Sequence, residues 1–159
     1  MNRAPFITQM SIADGPQGTL ETLRIMASVT RRAVNDSDFR AYIGQNFRTA
    51  DDIERTFRPL YRYTDEPVET LYAAEWNLQH LLNNGYLIGD CDDISMFYGA
   101  AFRVLGLPVR FVAMRTKKMD PNFHHVVVEA FENGQWRRFD ATVHPSVNHI
   151  IYGTMVENV

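Results

Sequence analysis

The sequence predicts an α+β fold, with helices concentrated in the first half of the chain and antiparallel strands in the second. Apolar residues recur at helical spacing through much of the first 105 residues, whereas after Pro108 they form short runs bounded by turn residues. Asn133-Gly134 separates the last two of these runs and is a strong signal for a tight hairpin. Strands joined by a two-residue loop are antiparallel, so a wound parallel sheet is not expected.

The composition is that of an ordinary globular domain and excludes several classes of function. The 159 residues are 45% hydrophobic and 22% charged, which suffices for one domain with a buried core. A net charge of -3 offers no basic surface for nucleic acid or anionic lipid, so neither is an expected partner. The chain has no membrane-spanning apolar run, no apolar signal segment in its first residues and a single cysteine, which together favour a reducing, cytoplasmic compartment.

Apolar stripes predict four helices before residue 86. The first has Thr19 as its N-cap, the second spans the region around residues 39–47, and the third has Thr49 as its N-cap, with Pro59 expected to stop or distort it. The fourth is predicted to end at Asn83-Asn84-Gly85. Its apolar face is formed by Val68, Leu71, Tyr72, Leu78 and Leu82.

The clearest helix of the sequence begins at Cys91. Its apolar residues follow the i, i+3, i+4, i+7 pattern over residues 91–105, and Asp90 is predicted to cap it with Asp93 as the acidic partner of a capping box. At this position the helix macrodipole stabilises a thiolate, whereas the aspartates at 90, 92 and 93 raise the pKa of a thiol. A nucleophilic cysteine and a buried structural cysteine are therefore both compatible with this segment.

The geometry of the predicted hairpin indicates which histidine could act as a base for this cysteine. In the register that the Asn133-Gly134 loop sets, Val127 faces Asp140, so Asp140 lies diagonally next to His125 on one face, and His124 points to the other face. The apolar residues of that other face are expected to be covered by the N-terminal helices. The predicted strands are residues 109–114, 124–131 and 136–143.

Four blocks of the sequence resemble, in the same order, blocks of the transglutaminase-like superfamily. They are Gly89-Asp90-Cys91-Asp92-Asp93, residues 102–111, His125-Val126-Val127-Val128-Glu129 and residues 136–142. The stretch 65–71 is also similar to the acidic lead-in of small bacterial and phage-type members. The resemblance covers roughly residues 68–143, and we expect a single transglutaminase-like domain over residues 1–159, with a helical part (1–67), a catalytic core (68–143) and a C-terminal tail (144–159).

The resemblance implies a papain-like fold in which the thiol-bearing helix packs on an antiparallel sheet. Residue by residue, it implies Cys91 as the nucleophile, His125 as the acid/base and Asp140 as the group that orients His125. The implied activity is acyl transfer at an amide or peptide bond of a protein or peptide substrate through a thioester, without a cofactor, as in a peptidase, an amidase or a protein-glutamine transglutaminase. The sequence has no clear oxyanion residue at a characteristic spacing, and Trp76, Asn77 and Gln79 on the preceding helix are the candidate donors.

Two alternatives stay open. The fold could serve as a non-catalytic binding or structural module, for instance in a phage particle, because the chain is short and acids surround its thiol. A metal site could instead use Cys91, His124-His125, His144, His149 and several aspartates. The sequence contains neither CxxC nor HExxH, and the spacing of His144 and His149 is not a recurrent zinc spacing, so no metal site is predicted.

Overall fold

A computed structural model of the protein describes residues 7–9, 15–65, 68, 70–143 and 149–159, and these form the predicted mixture of helices and an antiparallel sheet. One turn of 3₁₀ helix, Arg58–Leu60, follows the third helix at Pro59. The elements in chain order are β1 (Ile7–Gln9), α1 (Gly15–Val34), α2 (Ser37–Asn46), α3 (Ala50–Phe57), β2 (Tyr61–Tyr63), β3 (Thr70–Tyr72), α4 (Ala74–Asn84), β4 (Leu87–Gly89), α5 (Cys91–Val104), β5 (Val109–Arg115), β6 (His125–Glu132), β7 (Gln135–Phe139) and β8 (Gly153–Asn158).

The main sheet has the strand order β7-β6-β5-β8, and every neighbouring pair in it is antiparallel. Its edge strand β8 comes from the C-terminal tail, for which the sequence predicted no element. Two small pairs complete the strands that the structure describes: β1 with β3, antiparallel, and β2 with β4, parallel. None of the described helices is both long and apolar enough to cross a membrane.

Helix α5 lies between the N-terminal helices and the main sheet. Phe97, on α5, is fully buried and makes edge-to-face contacts with Phe39 and Phe57 at ring-centroid distances of 5.8 and 4.9 Å. On the sheet side, Phe102 packs against Phe139 of β7 at 4.7 Å. Burial of such a side chain stabilises the fold by about 3 kcal/mol or more relative to alanine. The core therefore fixes α5, and with it Cys91, relative to the sheet.

The predicted caps of α3 and α5 are confirmed, whereas that of α1 is wrong. Thr49 and Asp90 each form a capping box with the acidic residue three positions later. Thr19 lies inside α1, which already begins at Gly15, and its hydroxyl donates to the Gly15 carbonyl 3.3 Å away. Because this hydroxyl bonds a carbonyl four residues upstream, it satisfies none of the free N–H groups of a helix start, so Thr19 does not act as a cap.

The prediction of one helix running from Val68 to Leu82 is wrong in its first part. Leu71 and Tyr72 belong to strand β3, and α4 begins only at Ala74. The backbone N–H of Tyr72 donates to the Asp93 side chain, 2.7 Å away, and Leu71 is fully buried in the core, so both residues have better partners than a helical turn. The predicted end is confirmed, since Gly85 has a φ of 86°. Glu66, Pro67 and Glu69 of the acidic lead-in lie outside the described residues.

The hairpin forms in the predicted register, but β7 is shorter than predicted. Glu132 faces Gln135 and the ladder runs to Val128 opposite Phe139, where it ends. The chain turns out of the strand because Asp140 Oδ1 accepts hydrogen bonds from the N–H and hydroxyl of Thr142, 3.0 and 2.6 Å away. The predicted strand over residues 136–143 therefore stops at the residue before Asp140.

Candidate active site

Cys91, His125 and Asp140 lie at the end of the main sheet where β7 separates from β6. His125 is the first residue of β6, Asp140 is the first residue after β7, and Cys91 opens α5. Because the β6–β7 ladder ends at Val128, Val126 has no partner on β7. The Ser95 hydroxyl of α5 donates to the Val126 carbonyl at 3.3 Å, and the Val126 N–H donates to the Cys91 sulfur. The open backbone of β6 thus holds the start of α5 beside His125.

The side chains of His125 and Asp140 are in direct contact. His125 Nε2 lies 2.5 Å from Asp140 Oδ2, and the two side chains are 12% and 13% exposed. Burial acts to raise the pKa of Asp140, but the hydrogen bonds from His125 and Thr142 outweigh it and hold that pKa below its ordinary value. The Asp140 carboxylate is therefore ionised and holds Nε2 of His125, so Nδ1 is the ring nitrogen that this contact does not use.

Arg58 supports this pair from behind. Its guanidinium donates to the backbone carbonyls of Asp140, 2.7 Å away, and Val143, 2.9 Å away, and forms an ion pair with Glu54. Two of its bonds thus fix the turn that carries Asp140. Sequence reasoning missed Arg58, because its partners are backbone atoms more than 80 positions away along the chain.

The Cys91 thiol is partly buried and uncharged in this arrangement. Burial, followed by the carboxylates of Asp92 and Asp90, raises the pKa of Cys91 well above its ordinary value, and the Val126 N–H opposes this shift only in part. The thiol donates to Asp92 Oδ1 at 3.6 Å. Of the two opposed effects seen in the sequence, the aspartates act in the same direction as burial, which contributes most to the raised pKa of Cys91.

The structure brings His125 onto Asp140 but does not join Cys91 to His125 by a hydrogen bond. Among the described residues, the thiol donates to Asp92, and its polar neighbours also include the Val126 backbone and the Asp90 carboxylate. Helix α5 packs on the face of β6 that carries Val126, whereas His125 belongs to the opposite face. The roles of the three residues as a triad stay a prediction.

The three candidate oxyanion donors have different surroundings. Asn77 is fully buried, and its carboxamide bonds the carbonyl and the N–H of Ile88 at 2.7 and 3.0 Å, which ties α4 to β4. Trp76 stacks between Tyr72 and His80, with centroid distances of 4.5 and 5.3 Å. Gln79 is exposed. Within the described part of the chain none of the three hydrogen-bonds Cys91, and their role also stays a prediction.

Sequence reasoning missed Tyr61, whose hydroxyl contacts the turn that precedes Cys91. Its hydroxyl is 2.9 Å from the Gly89 carbonyl and 3.2 Å from that of Asp90. Burial and the neighbouring Asp90 raise the pKa of Tyr61, so it stays a neutral donor. The parallel pairing of β2 with β4 positions Tyr61 there, and the three-residue strands are too short to produce a recognisable sequence pattern.

Two side-chain groups among the described residues have the donor types and proximity to hold a metal ion. His125, Asp140 and His149 have ligand atoms within 4.8 Å of one another, and so do Asp90, Cys91 and Asp92. The exposed ring of His149 lies 5.3 Å from that of His125. Of the other histidines in the sequence-level metal alternative, His124 pairs with Asp120 at 2.7 Å, and His144 lies outside the described residues.

Two solved structures resemble the chain at low identity. A candidate cysteine protease from Cytophaga hutchinsonii is 18% identical with a TM-score of 0.44, over 89% of this chain and 51% of that one. A candidate protease from Parabacteroides distasonis is 11% identical with a TM-score of 0.46, over 74% of this chain and 26% of that one. The chain thus spans about half or less of the length of these two proteins.

Sequence comparison assigns the family. No curated protein matches the chain with significance. The family model of the transglutaminase-like superfamily matches residues 37–141, which is well over half of the chain and includes the start of α5, the hairpin and Asp140. The chain therefore belongs to the transglutaminase-like superfamily.

Proposed function

We propose that the protein is a thiol-dependent acyl-transfer enzyme that acts on an amide or peptide bond, with Cys91 as nucleophile, His125 as acid/base and Asp140 as its orienter. The observation that carries the proposal is the His125–Asp140 contact, at the same end of the sheet where α5 presents Cys91 to the backbone of Val126. A base oriented by a carboxylate next to a nucleophile is the arrangement that acyl transfer requires.

The reaction begins from a neutral thiol rather than a preformed thiolate. Asp140 occupies Nε2 of His125, so Nδ1 is the nitrogen that takes the thiol proton. The proposed step requires the Cys91 side chain to turn from Asp92 towards His125, and the proton then moves as the sulfur attacks the carbonyl carbon. The new imidazolium is stabilised by the Asp140 carboxylate.

The second half of the reaction returns the site to its starting state. The C–N bond of the substrate breaks as His125 delivers its proton to the departing amine, which leaves a thioester on Cys91. Water, or a second amine, then attacks the thioester carbon while His125 takes its proton and returns it to the sulfur. Water gives hydrolysis, and an amine gives transamidation.

The oxyanion of each tetrahedral intermediate needs hydrogen-bond donors. The backbone N–H of Cys91, at the first position of α5, is the natural first donor. Trp76 and Gln79 are the better of the sequence-derived second donors, because the Asn77 carboxamide is engaged with Ile88. Loss of one such donor costs about 10²–10³ in turnover.

A second candidate function is a binding or structural module that retains the fold without turnover. It is favoured by the thiol itself, whose pKa is raised by burial and by Asp92 and Asp90 and whose hydrogen bond goes to Asp92. Virion association belongs to this alternative. In a non-catalytic module, Cys91 is inert in the folded protein and His125 has no effect on its reactivity.

The test is an assay with a glutamine-containing peptide and a primary amine, analysed by mass spectrometry. We expect either deamidated peptide or the peptide–amine conjugate, and the product mass distinguishes water from amine as acceptor. Cys91→Ala and His125→Ala should each abolish the product. His124→Ala, a change in the adjacent exposed histidine, should leave it unchanged.

The outcome that contradicts the proposal is product formation that survives Cys91→Ala. An iodoacetamide assay at neutral pH addresses the non-catalytic alternative. Labelling of Cys91 that His125→Ala depresses and His124→Ala does not supports the enzyme, and an inert Cys91 in the folded chain supports the module.

A further inference from the structure

His149 stands beside the His125–Asp140 pair, yet the acyl-transfer chemistry gives it no task. Its ring lies 5.3 Å from the His125 ring at an interplanar angle of 51°, and it is exposed to solvent. No hydrogen bond joins His149 to either residue within the described part of the chain. Two imidazoles and one carboxylate at this proximity can all bind the same cation.

We propose that His125, Asp140 and His149 form a zinc-binding site whose occupancy inhibits the enzyme. The three ligand atoms already lie within 4.8 Å of one another. In a tetrahedral zinc site with bonds of about 2.0–2.1 Å, ligand atoms are about 3.3 Å apart. Small side-chain rotations therefore suffice to place the three atoms around an ion, and they include the separation of His125 Nε2 from Asp140 Oδ2, which are 2.5 Å apart. Solvent at exposed His149 supplies the fourth position.

The donor set selects the kind of metal. Magnesium and calcium take oxygen ligands, whereas two imidazoles and one carboxylate suit zinc and its late first-row neighbours. The carboxylate is prepared for this role, since Thr142 and Arg58 fix Asp140 through its Oδ1 and its backbone carbonyl. Supporting bonds of this kind hold first ligands in place at metal sites.

Zinc at this site removes the acid/base from the reaction. An imidazole binds a metal through its unprotonated nitrogen, so the proton of His125 moves from Nε2 to Nδ1 and the hydrogen bond to Asp140 is replaced by two metal bonds. Metal-bound Nε2 then has no carboxylate partner, and protonated Nδ1 accepts no proton from Cys91. This consequence, unlike the binding itself, rests on the proposed function.

The test begins with binding to the whole metal-free chain, measured by titration of Zn²⁺ in competition with a chromophoric chelator. We expect one zinc ion per chain. His149→Gln should weaken its binding by more than about tenfold, because even the loss of a supporting residue outside the ligand set costs 10–100-fold in affinity. His124→Gln is the matched control and should bind as the wild type does.

Cys91→Ser distinguishes this site from the other candidate group, Asp90, Cys91 and Asp92. The variant should retain zinc binding. Zinc binding that is lost in Cys91→Ser, or that is unchanged in His149→Gln, overturns the proposal, as does the absence of stoichiometric binding. The second arm is inhibition: Zn²⁺ should stop product formation by the wild type and leave His149→Gln active. If the zinc-free wild type is also inactive, the proposed function is contradicted. The zinc-binding measurements still test the proposed metal site in that case.

Discussion

Cys91 shows how neighbouring charges decide the state of a residue at a helix start. The macrodipole and the Val126 N–H favour a thiolate, but burial and the aspartates at 92 and 90 outweigh them and raise the pKa of the thiol. The proposed reaction therefore depends on a base at the moment of attack. A preformed thiolate, as in strongly activated cysteine enzymes, is not its resting state.

A charge substitution beside the thiol tests this directly. Asp92→Asn removes the carboxylate that accepts the thiol hydrogen bond, so the pKa of Cys91 should fall and iodoacetamide labelling at pH 7.5 should accelerate several-fold. Asp120→Asn is the control, because this carboxylate bonds Asn122 and His124 and not the thiol, and it should label at the wild-type rate. Equal labelling of Asp92→Asn and wild type would mean that Asp92 does not restrain the thiol.

Asp93 makes a second residue-scale prediction, on the pH dependence of stability. Burial and the charge of Asp90 raise the pKa of Asp93 to about 9, although the N–H groups of Tyr72 and Asp90 donate to its carboxyl group. Because the folded-state pKa is raised, the stability contributed by neutral Asp93 is complete below about pH 4 and is lost as the pH rises towards 9.

Urea unfolding of wild type and Asp93→Asn between pH 5 and 8 measures this linkage. Asparagine cannot ionise, so the stability of the wild type relative to the variant should fall with rising pH, at up to about 1.4 kcal/mol per pH unit. A constant difference, or one that grows with pH, would show that the two backbone N–H bonds keep the carboxylate charged.

At the scale of elements, the turn between β4 and α5 positions Cys91, the proposed nucleophile. Gly89 has a φ of 128°, and a Cβ at this position would collide with the Asp93 carboxyl group. The same carboxyl group bonds the N–H of Tyr72 in β3 and that of Asp90, the α5 cap. Any side chain at 89 therefore disturbs strand, cap and helix start together.

Gly89→Ala should destabilise the protein by about 2 kcal/mol or more, from backbone strain and overpacking combined. Gly44→Ala is the matched control, because Gly44 lies in α2 with open space around it and alanine should stabilise the helix by about 0.5–1 kcal/mol. Thermal unfolding of the two variants measures both effects. A Gly89→Ala protein as stable as wild type would contradict this account of the turn.

The elements also show where sequence reasoning succeeds. The start of α5 was predictable because the capping box is a local pattern, and Asp90 and Asp93 occupy it as expected. The hairpin register was predictable because Asn133-Gly134 fixes the loop length. Both are determined by residues only a few positions apart.

Contacts between distant segments were not predictable in the same way. Leu71 and Tyr72 follow a helical spacing, but pairing with β1 and the bond to Asp93 make them a strand. Val156 and its neighbours in β8 become a strand by pairing with β5. Arg58, at the end of α3, donates to the backbone carbonyl of Asp140, and no local sequence pattern predicts such a bond.

At the scale of the whole molecule, the candidate site depends on where the pairing between β6 and β7 ends. Because β7 leaves β6 after Phe139, Val126 is open to α5, and Asp140 turns back towards His125. The hairpin register inferred from the sequence predicted that His125 and Asp140 lie close together, and in the structure their side chains are in contact. The packing of α5 on the sheet was implied by the family resemblance, but it could not be derived from local patterns, because it depends on Phe97 and Phe102 packing between two layers.

The central claim is that Cys91 is a nucleophile served by His125, and acylation by p-nitrophenyl acetate tests it without knowledge of the natural substrate. A thiol enzyme releases nitrophenol in a burst as it forms a covalent acyl intermediate. We predict a burst of one equivalent with acetyl on Cys91, slowed about tenfold or more by His125→Ala, since general base catalysis contributes 10²–10⁴-fold, and unchanged by His124→Ala. Acylation at the wild-type rate in His125→Ala, or a folded chain whose Cys91 is not acylated, would contradict the claim.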